Sequence, residues 1–243
     1  MKAVILLAGK GRRIQNAIHN NHKALIPISG RPLIWYIIRN IQLAGVKEIV
    51  PVLGYNGNAI KDYLLNEFGT QVFHFVWNKD YEITNNLASL IKSYEKTKGD
   101  EFVVINGDMV FDYRILSKIL QTNSAAVAVD IVDKNVLIDS PGTIIKGNRI
   151  YDLGRHIPIE DNGGYAIGIY KFSKDMIPVF FSEAASMIKE NSNAGFHDPL
   201  RNIFDKREIL ACNTENMLWM DVDEKEDITR AENYISSLRG LYQ

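Results

Sequence analysis

Apolar positions along the first half of this chain alternate between two spacings. Residues 2–8 (Lys2-Ala3-Val4-Ile5-Leu6-Leu7-Ala8) are a short apolar run. A run apolar on both faces suits a central strand of a sheet covered on both sides. Helical spacing follows over 32–44, with Pro32 near the first helical position and Gly45 as the C-terminal cap. Strand 47–53, helix 56–67, strand 71–76, helix 85–96 and strand 101–106 come next. This alternation predicts βαβ units and a mostly parallel sheet. The second half reads differently. Strand 124–132 leads into short segments 142–146 and 149–153, punctuated by Gly142, Gly147-Asn148 and Gly154 as in hairpins. Strand 164–172, helix 174–189, a loop over 190–199, a last strand within 208–222 and an amphipathic helix 224–238 complete the chain. No repeat, low-complexity tract or linker interrupts it. The expectation is one α/β domain over 1–243, with a parallel half (about 1–122) and a β-richer half (about 123–243).

Composition narrows the class. A chain of 243 residues can bury a sizeable core. The net charge of −1 offers no global basic field for nucleic acid. The lone Cys212 excludes an internal disulfide and a four-cysteine metal site, and it fits a reducing compartment. The five histidines, at 19, 22, 74, 156 and 197, show no metal-ligand spacing. No apolar run reaches the roughly 18 residues that span a bilayer, and no secretory signal opens the chain. A cytoplasmic protein with neither membrane nor nucleic acid as partner is expected.

The candidate chemistry begins where the first strand ends. Gly9-Lys10-Gly11-Arg12-Arg13 combines two glycines with three cations. Glycines let the backbone approach a ligand and present amides to it, and Lys and Arg suit phosphate. The loop is not the dinucleotide fingerprint, because Ile14 stands where a third glycine would be, and no P-loop pattern is present. Lys23 follows, in the apolar setting of Ala24, Leu25 and Ile26. It either neutralises phosphate or snorkels at the surface. The loop ahead of it favours phosphate, and the whole favours an enzyme acting on a nucleoside triphosphate.

Acids supply the second element. Asp108 follows the buried strand 101–106, at the end where ligands of open α/β sheets gather, and is placed to hold Mg²⁺. Asp112 is the better candidate to cap the helical run 113–121. Asp221 and Asp223 alternate around Val222, so a strand would turn both to one face. Like charges there repel unless a cation lies between them. The competing reading has Asp223 capping the last helix, with Glu226 at N3. Asn85, Asn86 and Ser89 open a helix and either read a nucleotide or serve as plain caps.

Together these residues resemble the nucleotidyltransferase family that includes sugar-1-phosphate nucleotidylyltransferases and small CTP-dependent cytidylyltransferases. The family pattern is a strand, a loop ending G-x-G-T/S-R-L/M, then P-K, a central Asp after a buried strand, and a late W-x-x-I-D-T-P-x-D-x-x-x-A. Gly9 to Ile14, His22-Lys23, Gly107-Asp108 and Trp219 to Ala231 match in order. Arg12 replaces the usual Thr or Ser, and His22 replaces the Pro. Asn78 to Leu90 is similar to the N-x-x-Y-x-x-x-N-N-x-x-S-L segment of bacterial phosphocholine cytidylyltransferases, whose relatives act on aminoethylphosphonate and inositol-1-phosphate. The resemblance implies a three-layer, Rossmann-like fold with a mostly parallel mixed sheet flanked by helices and a small β-rich acceptor-binding part. It implies transfer of CMP from CTP onto a phosphorylated small alcohol or phosphonate, with Mg²⁺ as cofactor and pyrophosphate released. An NDP-sugar pyrophosphorylase and a non-catalytic nucleotide-binding regulator are the alternatives. By the same resemblance Asp108 and Asp223 hold the metal, and Arg13, Lys23, Asp108 and Asp223 are catalytic. Leu7, Ala8, Gly9, Lys10, Gly11, Arg12, Asn85, Asn86, Ser89 and Asp108 bind the nucleotide. Arg155, placed after Asp152-Leu153-Gly154, is expected to contact the acceptor phosphate, with Tyr165 and Asp221 as further acceptor-binding candidates. A choline acceptor would need rings, for which Trp77, Tyr81, Tyr165, Phe196 and Trp219 are available. A homodimer is left open.

Overall fold

The computed structural model describes all residues except 15–20, 70, 71, 132–138, 162, 239, 241 and 243. His19 therefore lies outside the described residues, as do one residue each of the expected strands 71–76 and 124–132. In the first half the strands are β1 (Lys2–Leu7), β2 (Pro27–Ile28), β3 (Arg31–Pro32), β4 (Glu48–Leu53), β5 (Val76–Trp77), β6 (Phe102–Asn106) and β7 (Met109–Phe111). In the second half they are β8 (Ala125–Asp130), β9 (Gly142–Lys146), β10 (Arg149–Gly154), β11 (Tyr165–Phe172), β12 (Ile209–Asn213) and β13 (Trp219–Asp221). The helices are α1 (Leu33–Leu43), α2 (Gly57–Phe68), α3 (Asn86–Lys92), α4 (Tyr94–Thr97), α5 (Tyr113–Leu120), α6 (Met176–Glu190), α7 (Asp198–Arg201) and α8 (Lys225–Ser237).

Among the described residues, nine strands from both halves form one mixed sheet, ordered β5-β4-β1-β6-β11-β8-β12-β10-β9. β4, β1 and β6 pair in parallel, and β11 runs antiparallel to β6 and β8. Side-chain alternation along β1 explains the layering. Ala3, Ile5 and Leu7 face one core with Ile37 and Ile41 of α1, Leu64 of α2 and Leu116 of α5. Val4 faces the other core with Leu90 of α3 and Phe180 of α6. Each fully buried Leu, Ile or Phe contributes roughly 1.5–3 kcal/mol, so burial on both faces fixes β1 as the centre of the sheet. A third, smaller core joins Ile14, Ile28, Val110, Val222 and Tyr234. It carries the two-stranded β7–β13 ribbon beside the sheet.

The structure corrects several expected boundaries. The helix expected over 85–96 breaks at Ser93, whose hydroxyl and amide both donate to the Leu90 carbonyl. Such local bonds compete with helix propagation. The strand expected over 71–76 narrows to β5, preceded by a single bridge from Phe73 to Ile49. The strand expected within 208–222 divides into β12 and β13 around Glu215 and Asn216, whose φ angles of 54° and 62° make a left-handed turn. Pro32 occupies the N-cap of α1 rather than its first turn. The last helix is capped one residue later than the alternative reading proposes. Glu224 is its N-cap and Asp227 completes the capping box, which leaves Asp223 outside it.

Candidate functional site

The site assembles where β1 and β6 end side by side. Their close approach depends on Gly107, because a Cβ there would lie 2.4 Å from the Leu6 carbonyl oxygen and 2.5 Å from Leu7 Cδ2. β7 then pairs antiparallel with β13, placing Met109 opposite Asp221. The Val222 amide donates to the Asp108 carbonyl at 2.8 Å. This register joins the central Asp to the late acidic pair.

Lys23 stands between them. Its Nζ lies 3.0 Å from Asp108 Oδ2 and also donates to Asp223 Oδ1. Arg13 Nη2 approaches the other oxygen of Asp223 at 2.5 Å. The Lys23 side chain is only 7 % exposed, so it is no surface lysine. Burial alone would lower its pKa, but Asp108 and Asp223 outweigh burial and hold the ammonium above its ordinary value. Its stem runs beneath Gly11, where a Cβ would come within 3.2 Å of Lys23 Cδ. Gly11 also has φ +61°, so a side chain here would be strained in its backbone and tight against Lys23. Asp221 completes the cluster. Its Oδ1 is buried without a hydrogen-bond partner among the described residues. Burial, then the charges of Asp108 and Asp223, raise its pKa well above the usual carboxylate range.

Two hollows meet at Asp108. One, of about 250 Å³, is lined by Ala8, Gly9, Tyr81, Asn85, Ser89 and Asp108 among others. The other, of about 440 Å³, runs from Asn86 and Asp108 to Arg155, Tyr170, Phe196 and Asp221. Asn85 caps α3, and it also lines both hollows. Asn86 accepts from the Phe196 amide at 2.8 Å and ties the helix start to the opposite wall. Ser89 accepts from Asn78 Nδ2 at 3.0 Å. Asp112 caps α5 as expected, accepting from the Arg114 amide at 2.9 Å.

Other expected residues sit further out. Leu7 is buried in the core, Arg12 is exposed, and Lys10 Nζ lies 5.3 Å from the centre of the Tyr55 ring. Tyr165 is buried within β11, and it is Ala166, Ile167, Gly168 and Tyr170 of that strand that line the larger hollow. The five candidate rings do not surround one hollow. Tyr81 lines the smaller one, Phe196 the larger, and Trp77 packs against Gly57. Sequence reasoning missed Asp139, which binds Arg155 and lies 3.6 Å from Arg13 Nη1. Arg155, then Arg13, hold the Asp139 carboxyl below its ordinary pKa. It also missed Asn106, whose place beside Gly107-Asp108 is a usable signal, and the pair of buried Tyr170 with half-buried His197 at 2.7 Å. Burial drives the His197 pKa down to about 4.

The sequence pattern of the MobA-like NTP transferase domain matches residues 3–189. The chain belongs to that family. It is a nucleotidyltransferase domain, and its mixed sheet flanked by helices is the family's Rossmann-like fold. It is 26% identical over 239 residues to the bifunctional protein GlmU of Methanocaldococcus jannaschii, covering 97% of this chain and 54% of that protein. It is 28% identical over 148 residues to the CMP-5'-(3-aminopropyl)phosphonate synthase of Streptomyces rubellomurinus, covering 61% of this chain and 23% of that protein. The chain thus spans about half the length, or less, of these curated relatives. Among solved structures, the inositol-1-phosphate CTP transferase from T. maritima superposes with a TM-score of 0.78 at 18% identity, covering 97% of this chain and 96% of that one. A UDP-glucose pyrophosphorylase complexed with UDP-glucose gives 0.79 at 19% identity, covering 97% and 98%. No described helix is long and apolar enough to cross a membrane.

Proposed function

We propose that this nucleotidyltransferase moves CMP from CTP onto a phosphorylated small alcohol or a phosphonate and releases pyrophosphate. The observation that carries this is the single cluster of Asp108, Asp223, Lys23 and Arg13, in which Asp108 lines both hollows and Arg13 and Asp223 line the larger. The acceptor's phosphate or phosphonate oxygen is already anionic at neutral pH, so attack on the α-phosphorus needs positioning and charge neutralisation more than a general base. In this reading the hollow beside Gly9, Asn85 and Ser89 takes the nucleoside, and the one reaching Arg155 and Asp221 takes the acceptor. Lys23 lies where charge grows on the α-phosphate. Arg13, with Lys10 and the amides around Gly9 and Gly11, holds the leaving pyrophosphate.

The residues present fit Mg²⁺. Asp108 and Asp223 are hard oxygen donors brought to one cation, Lys23 Nζ. Among the described residues no three His, Cys, Asp or Glu side chains could hold a metal unaided. Mg²⁺ is commonly held by one or two carboxylates, with substrate phosphates completing its shell. When bound, the ion would supply Lewis-acid neutralisation of phosphate charge.

The name CMP-5'-(3-aminopropyl)phosphonate synthase on one relative supports CTP as donor, as does the Asn78 to Leu90 segment. A hexose-1-phosphate acceptor is the second reading. It is favoured by the larger hollow's hydrogen-bonding lining of Asn85, Asn86, Asn106 and His156, against which only Tyr170 and Phe196 offer rings besides the two histidines. A pyrophosphate-release screen separates them: four nucleoside triphosphates, with Mg²⁺, against phosphocholine, aminoethylphosphonate, inositol-1-phosphate and hexose-1-phosphates. Release with CTP and a non-sugar acceptor supports the first reading. Release confined to UTP or dTTP with a hexose-1-phosphate replaces it with the second.

A further inference from the structure

We infer that His22 is a positioning residue that sets Lys23 in register with the glycine loop. The inference rests on the nucleotidyl-transfer reading for its kinetic consequence, not for its geometry. His22 is 3 % exposed and opens the single helical turn Lys23–Leu25. The Ala24 amide donates to its Nδ1 at 3.0 Å. Because Nδ1 accepts, the ring proton is on Nε2, which donates to the Leu7 carbonyl at 3.0 Å. One ring therefore links the last residue of β1, where the loop begins, to the turn that carries Lys23.

The neutral ring is secure. Burial drives the His22 pKa down to about 4, with the adjacent Lys23 charge adding to the fall. The backbone, by contrast, does not call for histidine. His22 has φ −80° and ψ 137°, a conformation open to proline. Proline at this position would keep the chain's path but lose both ring bonds. Further ties run through the same segment. The His22 amide donates to Asn21 Oδ1, and Asn56 Nδ2 donates to the same oxygen. The Tyr55 amide donates to the Ala8 carbonyl, and the Tyr55 ring stacks on His22 with centroids 6.3 Å apart. Segments 7–8, 21–24 and 55–56 thus form one bracket, with the His22 ring at its centre. The bracket has a clear object. Lys23 must pass under Gly11 and still reach both Asp108 and Asp223, which leaves little room for its turn to slide.

The test uses the whole chain with His22→Ala and His22→Asn, the latter offering an amide oxygen where Nδ1 accepts. With the donor and acceptor found active in wild type, His22→Ala should lower kcat by about 10²-fold, the cost of a misplacement near 1 Å, while KM for the triphosphate changes less than about threefold. His22→Asn should recover part of that loss. A second readout does not depend on turnover. Acetylation of Lys23 by acetic anhydride, followed by mass spectrometry, should be about tenfold faster in His22→Ala, because a released turn opens more often. His22→Asn should again lie between. Unchanged labelling of a folded His22→Ala protein would overturn the inference, whatever happens to the rate. If His22→Ala does not fold, Lys23 labelling in His22→Asn decides: slight acceleration supports the bracket, and none overturns it. A wild-type protein silent with every substrate pair would sink the transfer reading and leave the labelling result to judge His22.

Discussion

Removal of Lys23 tests the charge cluster from two sides at once. In Lys23→Ala, Asp108 and Asp223 lose the ammonium that lies between them, while Asp221 keeps both as neighbours. Breaking a fully buried ion pair costs about 3–5 kcal/mol. Asp108 is 37 % and Asp223 24 % exposed, and Arg13 still pairs with Asp223, so the expected cost falls to about 1–2 kcal/mol. For a chain of this length that is a fall in Tm of about 2–8 °C. The catalytic loss should be larger. One electrostatic contact in a preorganised site carries about 10²–10³ in rate, or roughly 2.7–4.1 kcal/mol. Lys23→Met retains the stem under Gly11 and separates packing from charge; it should show the same rate loss as Lys23→Ala. The assays are thermal unfolding with and without Mg²⁺, and pyrophosphate release. Mg²⁺ alone should raise the Tm of either variant more than that of wild type, because the Lys23 ammonium no longer lies between the two carboxylates and only Arg13 still competes for Asp223. A rate loss under about threefold with an unchanged Tm would show that Lys23 serves neither the phosphates nor the cluster.

Three further outcomes follow from the same geometry. Gly107→Ala should destabilise the fold by about 1–3 kcal/mol, because its Cβ would strike the Leu6 carbonyl oxygen at 2.4 Å; an unchanged Tm would mean that β1 and β6 can part there at no cost. His22 and His197 are both held near pKa 4 by burial, against about 6.5 when unfolded, so the unfolded chain binds more protons between these values. Stability should therefore be full above pH 6.5 and fall as pH drops toward 4, by at most about 3 kcal/mol for each histidine; urea unfolding that is flat over this range would contradict it. Asp221 has the opposite sign, since a carboxyl with a raised pKa loses stability as pH rises through that pKa. Asp221→Asn should accordingly raise Tm at pH 7 without Mg²⁺ while raising KM for the acceptor, and a lowered Tm would refute the repulsion assigned to this position.

The parallel half was legible because its strands carry unbroken apolar runs between helical periods. β1, β4 and β6 fall within a residue of the expected 2–8, 47–53 and 101–106. Ser93 and the Glu215-Asn216 turn escaped because a side-chain bond to the preceding turn and a left-handed pair leave little trace in hydrophobic spacing. Within the site, Asp108, Asp223, Lys23 and Arg13 were each legible as chemistry attached to a strand end or a loop. Their convergence was not, because it depends on the β7–β13 register and on the small core of Val110 and Val222 beneath it. Tyr170 was missed for a related reason. In a strand buried on both faces, alternation cannot say which tyrosine reaches the hollow. Asp139 lay in a loop whose sequence carries no pattern, and only tertiary structure sets it beside Arg13 and Arg155.

The most direct measurement is pyrophosphate release by Asp108→Ala beside wild type, with Mg²⁺, CTP and the acceptor panel, and with circular dichroism recorded on both proteins. The account predicts release by wild type only when triphosphate and acceptor are both present, and none by a variant whose spectrum matches wild type. Undiminished turnover by that folded variant would contradict it.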